Sequence, residues 1–154
     1  MHSANCARAA ANGSTLRVTE LLDRAFDQLK PDTSLPLATK TRLYEALVDA
    51  NIGLGLSQRA VAVATQACLE HGHSGDPLSA PLPIRILLAR AYRDDQQHSK
   101  SLEFWNSVVA ESIRVYGEKA PQTVTNRTRL AGSLCAAGRI RDALAITTEL
   151  MSLV

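Results

Sequence analysis

The chain has few aromatic residues and few cysteines, and both shortages narrow the choice of fold. Of its 154 residues, 4% are aromatic and 45% are hydrophobic. A core of Leu, Ala, Val and Ile suits tightly packed helices better than a β-sandwich, which favours aromatic and β-branched residues. The 3 cysteines are an odd number without metal-type spacing, which argues against a disulfide framework and favours a reducing compartment.

The chain also lacks a strong charge bias and any long apolar run. Its 17 basic and 15 acidic residues give a net charge of +2, too balanced to indicate nucleic acid or an anionic membrane as partner. No segment approaches the roughly 18 apolar residues of a membrane-spanning helix. Residues 1–13 lack the apolar stretch of a signal peptide. We therefore expect a soluble, cytoplasmic protein.

Catalytic and cofactor-binding motifs are missing as well. The sequence has no phosphate-cradling glycine loop, no Gly-x-Ser-x-Gly and no His-Glu-x-x-His. His71, His73 and Asp76 could form a metal site or simply a polar loop, and structural zinc sites usually need about four ligands. Cys135 could be a reactive thiol or a small apolar filler. The sequence thus predicts no enzyme activity, no metal and no cofactor.

Proline placement divides the chain into units. The 6 prolines form three clusters, at Pro31 and Pro36, at 77–83, and at Pro121. Because proline interrupts helix interiors but is tolerated in loops and at helix starts, the stretches between the clusters are predicted to be helical. The predicted units are a partial or degenerate N-terminal repeat over 1–30 and repeats over 37–72, 82–117 and 121–154, the last of which could continue beyond the chain end.

A common spacing of about 42 residues relates these units to one another, and a fixed period of roughly 20 to 50 residues indicates a repeat array rather than one globular core. Gly13 and Gly55 lie one such period apart, Gly138 occupies the last equivalent turn, and Gln96 fills the remaining one. Pairs with a shorter spacing of twelve positions recur around these turns, namely Cys6/Val18, Val48/Ala60, Ala89/Ser101 and Ala131/Ala143. The predicted fold class is therefore all-α, an α-solenoid of antiparallel helix–turn–helix repeats.

These residues resemble the tetratricopeptide repeat family. That family places small residues twelve positions apart where the two helices of a hairpin cross closely, as Ala131 and Ala143 do. The period is similar to the 42-residue subtype of kinesin light chains and many bacterial repeat proteins. In that subtype a Tyr-Gly closes one repeat and a Pro and a Thr open the next, and the matching residues are Tyr116, Gly117, Pro121 and Thr123.

The resemblance implies a right-handed superhelix whose first helices line a concave groove. It also implies that Trp105 lies in a hairpin core. The subtype often carries groove asparagines before its Leu-Ala pair. Here those places hold Thr128 and Arg129, and Asn126 lies further back.

Aligning the units gives the residues predicted to line the groove. Arginine can form two parallel hydrogen bonds to one carboxylate, so Arg90 and Arg93 could bind an acidic partner segment. Gly132 would leave room for a partner side chain. In the alternative interpretation, Asp49 and Arg90 pair with each other on a solvated surface. The full set of predicted groove residues is Arg42, Glu45, Asp49, Ile52, Ile86, Arg90, Arg93, Thr128, Gly132 and Cys135.

The expected function is a non-enzymatic scaffold that binds another protein or peptide, which could carry an acidic segment. One alternative is a sensor or regulatory module of a larger bacterial transcriptional regulator or protein kinase. Another is a nucleic-acid-binding or catalytic protein built on the same scaffold. Nucleic-acid binding would use the basic residues near the C-terminus, but no aromatic residues are interspersed among them. These basic residues are Arg127, Arg129, Arg139 and Arg141.

The last helix is apolar and has no polar residues after it to act as a cap. Repeat arrays usually need a polar terminal helix, and Leu150, Met151 and Leu153 do not provide one. We therefore expect either a fragment of a longer array or a last face that a partner covers.

Overall fold

The computed structural model describes residues 17–29, 34–72 and 75–152, and within them every regular element is helical. The predicted all-α class is confirmed. Helix α1 is described over residues 17–29, and the others are α2 (Leu37–Gly53), α3 (Ser57–His71), α4 (Leu82–Asp94), α5 (His98–Tyr116), α6 (Pro121–Ala136) and α7 (Ile140–Ser152). A 3-10 turn, Pro77–Ser79, precedes α4. Cys6 and Gly13 of the predicted N-terminal repeat lie outside the described residues.

Proline marks the helix starts as predicted. Pro36 and Pro81 immediately precede α2 and α4, and Pro121 is the first residue of α6. Proline is tolerated there because the first amides of a helix have no intrahelical acceptor. The clusters therefore separate hairpins rather than interrupt helices.

The helices pack as a stack of antiparallel hairpins. From α2 onward each helix contacts the next one in the chain, and α4 also contacts α2 across the intervening α3. Helix α1 joins the stack through Phe26, whose ring meets Tyr44 of α2 edge-on with centroids 6.4 Å apart. An ion pair between Asp23 and Arg59 ties α1 to α3. This arrangement is an α-solenoid.

Small residues lie at the helix crossings. Ala60 and Ala89 are completely buried, and Ala131 and Ala143 are at most 7% exposed. Such side chains let two backbones approach closely where each hairpin crosses. Both members of the pairs Val48/Ala60, Ala89/Ser101 and Ala131/Ala143 are buried, as close packing at a helix crossing requires. Trp105 is completely buried, which confirms that it belongs to the core.

The turns inside the hairpins share one backbone conformation. Gly55, Gln96 and Gly138 have φ values of 72°, 59° and 75°. In each turn the next amide donates to the carbonyl five positions earlier, as from Leu56 to Asn51 at 2.8 Å. This pattern is the Schellman helix end, which favours glycine because φ is positive. The period of the sequence thus repeats a specific turn, in which Gln96 takes the position of a glycine.

Gly117 ends α5 in a conformation different from that of the turns inside the hairpins. A glycine that follows a helix is often left-handed, and the φ of Gly117, 90°, is positive. Its ψ of 161°, however, is extended rather than left-handed helical. This region is essentially restricted to glycine. Gly117 therefore ends α5 by turning the chain sharply toward α6 instead of closing a Schellman motif.

Candidate functional site

The candidate site is formed by the solvent-facing residues of α2, α4 and α6, the first helices of their hairpins. We call it the A-helix surface. It contains the residues predicted to line the groove, and their arrangement follows from the contact of α4 with α2. Its charged members include Arg42, Glu45 and Asp49 on α2, Arg90 and Arg93 on α4, and Arg129 on α6.

Arg90 links two helices of this surface. Its guanidinium forms an ion pair with Asp49 and lies 3.6 Å from the carboxylate of Glu45. The Arg90 side chain is 24% exposed, whereas both carboxylates are about half exposed. Such a solvated pair contributes roughly 0–1 kcal/mol. The internal pairing considered for Asp49 and Arg90 is therefore present, and an acidic partner would have to compete with two carboxylates for Arg90.

Other arginines on these helices form weaker ion pairs than Arg90 does, or none with the described residues. Arg93 has its nearest carboxylate on the adjacent residue Asp94, at 3.8 Å. Arg42 and Arg129 are exposed and make no ion pair with any residue in the described ranges. These side chains, rather than Arg90, present the available positive charge of the surface.

On α6 the surface offers open space in addition to the charge of Arg129. A Cβ atom added at Gly132 would meet nothing within 4 Å, so this position is open as predicted. Thr128 is exposed, and its hydroxyl donates to the carbonyl of Val124 in its own helix at 2.9 Å. Cys135 is exposed, which contradicts its interpretation as a core filler.

A cavity of about 400 Å³ lies between α4 and α6. Leu82 and Ile86 of α4 form an apolar wall, Tyr116 contributes a ring that is 48% exposed, and Arg129 lies at the polar side. Gln122, Thr125 and Asn126 complete the lining. An apolar side chain with a neighbouring hydrogen-bond acceptor would fit this combination of wall and charge.

Asn126 does not serve this surface as a backbone-binding residue. It is 4% exposed, and its amide donates to the hydroxyl of Ser112 at 2.9 Å. Thr123 also bonds to the carbonyl of Ser112, at 3.1 Å. These buried hydrogen bonds fasten α6 to α5, so the start of the repeat is held by polar as well as apolar contacts.

Sequence reasoning missed a set of buried cations between the helices. Arg85 is 5% exposed and bonds to Glu111 and Ser107 of α5. Arg127 is 7% exposed and pairs with Glu118 and Glu149. This burial removes Arg127 from the basic region considered for nucleic acid, and Arg139 is likewise paired, with Asp142.

The repeat spacing of the sequence contains a signal from which these buried ion pairs could be predicted. Arg85 and Arg127 lie one full period apart. The separation of Arg85 from Glu111 along the chain equals that of Tyr44 from Glu70. In the earlier hairpin Tyr44 stands in the arginine position, and Lys40 supplies the cation, 2.7 Å from the Glu70 carboxylate. A polar contact thus recurs at one place in successive hairpins.

Burial and neighbouring side chains shift the pKa values of Glu70, Tyr44 and Cys68. Burial acts to raise the pKa of Glu70, but the Lys40 ammonium at 2.7 Å, a hydrogen bond from Gln66 and the nearby Tyr44 hydroxyl hold it below its usual value. Burial, together with the neighbouring Glu70, raises the pKa of Tyr44 well above its usual range. Burial raises the pKa of Cys68 to about 12, although Arg85 acts in the opposite direction. Both Tyr44 and Cys68 are therefore neutral at physiological pH.

The loop that resembled a metal site has a structural role at Asp76. Its carboxylate accepts a hydrogen bond from the Leu78 amide at 2.9 Å and caps the 3-10 turn. His73 lies outside the described residues. Across residues 17–29, 34–72 and 75–152, no cluster of three or more His, Cys, Asp or Glu side chains could hold a metal ion. Over the same ranges, no helix has both the length and the apolar character needed to cross a membrane.

Comparison with solved structures supports the architecture. A Podosopora anserina protein described as a kinesin light chain with nearly identical TPR-like repeats superposes with a TM-score of 0.70 and 22% sequence identity. The match covers 94% of this chain and 69% of that one. A variant of the same protein gives a TM-score of 0.71 at 22% identity, covering 94% and 68%. No protein-family model matches the chain, and no curated protein shows significant sequence similarity. The chain has the fold of TPR-like repeats.

Proposed function

We propose that the protein is a non-enzymatic scaffold that binds a segment of another protein along the A-helix surface. The observation that carries this proposal is the cavity between α4 and α6. There the apolar wall of Ile86 and the exposed ring of Tyr116 lie beside Arg129, which has no ion-pair partner in the described part of the chain. An exposed apolar recess with an unpaired cation suits a partner side chain better than solvent.

The remaining residues of the surface extend this recess into a binding path. Open space at Gly132 would admit a partner side chain, and Thr128 is exposed on the same helix. Arg42 and Arg93 would attract an acidic segment, while Arg90 would keep Glu45 and Asp49 in place. The free thiols Cys68 and Cys135 are compatible with a reducing cytoplasm, where we place the protein.

The test is quantitative affinity capture with the intact chain and with Gly132→Phe. A Cβ atom added at Gly132 meets nothing within 4 Å, so a phenyl ring at this exposed position would extend from open space on the A-helix surface. The matched control is Ala110→Phe, an exposed position on α5 away from the A-helix surface. We expect Gly132→Phe to lose the captured proteins and the control to keep them.

A second variant tests the charge of the surface. Arg93→Glu with Arg129→Glu reverses two cations without removing any ion pair to another helix. Acidic partners should bind this variant several-fold more weakly, most clearly at low salt. If both this variant and Gly132→Phe recover the same partners as the unmodified chain, binding on the A-helix surface is wrong.

A further inference from the structure

Helix α7 has one face that no described residue covers. Its inner side is anchored by Ala143, which is 3% exposed. On its outer side Ile140, Leu144 and Met151 are 58%, 64% and 75% exposed. Successive members of this set lie about one and two helical turns apart, which places the three side chains along one stripe of the helix.

The repeat shows what such a stripe does elsewhere in the molecule. Leu102 of α5 lies one full period before Leu144 and occupies the equivalent place. Leu102 is 8% exposed and Leu144 is 64% exposed, although they are the same residue type. Helix α5 packs against the next helix, α6, whereas no described helix follows α7. The outer stripe of α7 therefore has the composition of a face that takes another helix.

The charged residues on the outer side of α7 indicate which helix would pack against it. Arg141, Leu144, Ala145, Thr148, Glu149 and Ser152 line an open recess along the outer face. Arg141 forms no ion pair with any residue of the described ranges. One carboxylate oxygen of Glu149 bonds to Arg127, and the side chain remains 65% exposed. Arg141 and Glu149 lie equally far along the helix on either side of Ala145 and carry opposite charges.

We propose that this face binds a second copy of the chain, with the two α7 helices antiparallel about a two-fold axis near Ala145. A two-fold contact uses the same patch on both copies, so it requires a self-complementary patch. In this arrangement Arg141 lies beside Glu149 of the partner subunit, and Leu144, which lines the same recess, packs against the partner helix. The small side chain of Ala145 permits close approach of the helices at the axis.

The pairing does not depend on the proposed scaffold function, but it would strengthen it. A dimer through α7 leaves both A-helix surfaces unused by the contact. Two linked binding surfaces hold a partner with two target segments much more tightly than either alone, provided that the geometry allows simultaneous binding.

The first test is the mass of the full chain in solution, measured by sedimentation equilibrium over a wide concentration range. The expected result is reversible association from 16.6 kDa to twice that mass. Leu144→Asp should weaken association at least about tenfold while the helical circular dichroism and the melting temperature stay unchanged. The matched control is Leu21→Asp, at a position on α1 that is 62% exposed, and it should associate normally.

A second test locates the axis by disulfide cross-linking. In a chain with Cys6→Ser and Cys135→Ser, Ala145→Cys should form a covalent dimer on mild oxidation. Arg141→Cys should not, because the two copies of that residue lie on opposite sides of the axis. A chain that stays monomeric at all concentrations would mean that another helix, from a longer chain or a different protein, covers α7. That result, or equally fast cross-linking of both cysteine variants, would overturn the pairing.

Discussion

The hydroxyl of Ser101 donates a hydrogen bond of 2.8 Å to the backbone carbonyl of Ala89, across the point where α5 crosses α4. Both residues are buried, and they form one of the pairs that recur around the hairpin turns. At the equivalent places in α3 and α7 the chain has Ala60 and Ala143, which cannot form this bond. The crossing thus requires a small residue, and in one hairpin that residue also makes a polar contact between helices.

Replacing Ser101 with alanine tests the value of this bond. The change keeps the crossing small but removes the donor, so unfolding should require about 1 kcal/mol less free energy. Urea denaturation measures the difference. Ser99→Ala, at an exposed position of the same helix, is the control and should stay within about 0.5 kcal/mol of the unmodified chain. Equal effects of the two changes would show that the bond adds nothing.

The turn at Gln96 predicts a stabilising substitution. Gln96 has a φ of 59°, a conformation that costs a residue with a Cβ roughly 1–2 kcal/mol. Gln96→Gly should therefore raise the free energy of unfolding by about 1 kcal/mol, because the flexibility of glycine offsets part of the gain. The reciprocal change Gly138→Gln, in the equivalent turn, should lower it. The prediction is wrong if the two changes shift the urea midpoint in the same direction.

The backbone plan could be predicted from the sequence because its signals are local and repeated. Pro121 marks a helix start, and Gly55 and Gly138 mark the same turn in two hairpins. The small residues Ala131 and Ala143 fix the place where two helices cross. Each of these residues restricts the backbone itself, so its effect does not depend on distant partners.

The charge arrangement could be predicted only in part, because it depends on which side chains meet across helices. The pairing of Asp49 with Arg90 is one of two interpretations that the sequence leaves open, and the structure contains the pair. Arg85 and Arg127 were missed because a charged residue is normally assumed to be exposed. Their burial is permitted by glutamates on neighbouring helices, which the sequence reveals only when one hairpin is aligned with the next.

The carboxylate of Glu70 predicts a dependence of stability on pH. Burial acts to raise its pKa, but in the folded protein that pKa lies below the ordinary value of 4.5, because Lys40, Gln66 and Tyr44 favour the charged form. A lowered pKa contributes stability above the unfolded value and loses it as the pH falls through the folded value. Glu70→Gln should therefore be less stable than the unmodified chain at neutral pH, and the two should converge as the pH falls through the lowered pKa of the folded state.

Urea denaturation at a series of pH values measures this difference. Glu103→Gln on α5 is a suitable control, since Glu103 is exposed and lies in no ion pair with another residue of the described ranges. Its stability should follow that of the unmodified chain at every pH. A gap between Glu70→Gln and the unmodified chain that persists undiminished in acid would contradict the assigned role of the carboxylate.

Trp105 provides the largest predicted loss of stability. Its side chain is completely buried in α5, and truncation to alanine leaves a cavity that the surrounding helices fill only in part. We expect Trp105→Ala to lower the free energy of unfolding by about 3–5 kcal/mol. The equivalent residue in α7 is the exposed Thr147, and Thr147→Ala should change stability by less than about 0.5 kcal/mol. Similar melting temperatures for the two variants would contradict the assignment of Trp105 to the packed core.

The two described cysteines should differ sharply in reactivity toward a thiol reagent. Cys68 is completely buried with a pKa raised to about 12, so it is both protonated and shielded at neutral pH. Cys135 is exposed on α6 and should react at once. In a Cys6→Ser background, the folded chain should therefore release one equivalent of chromophore from a disulfide reagent, and Cys135→Ser should abolish it. Urea should restore the reaction of Cys68, and rapid modification of Cys68 in the folded chain would show that α3 opens far more readily than its burial predicts.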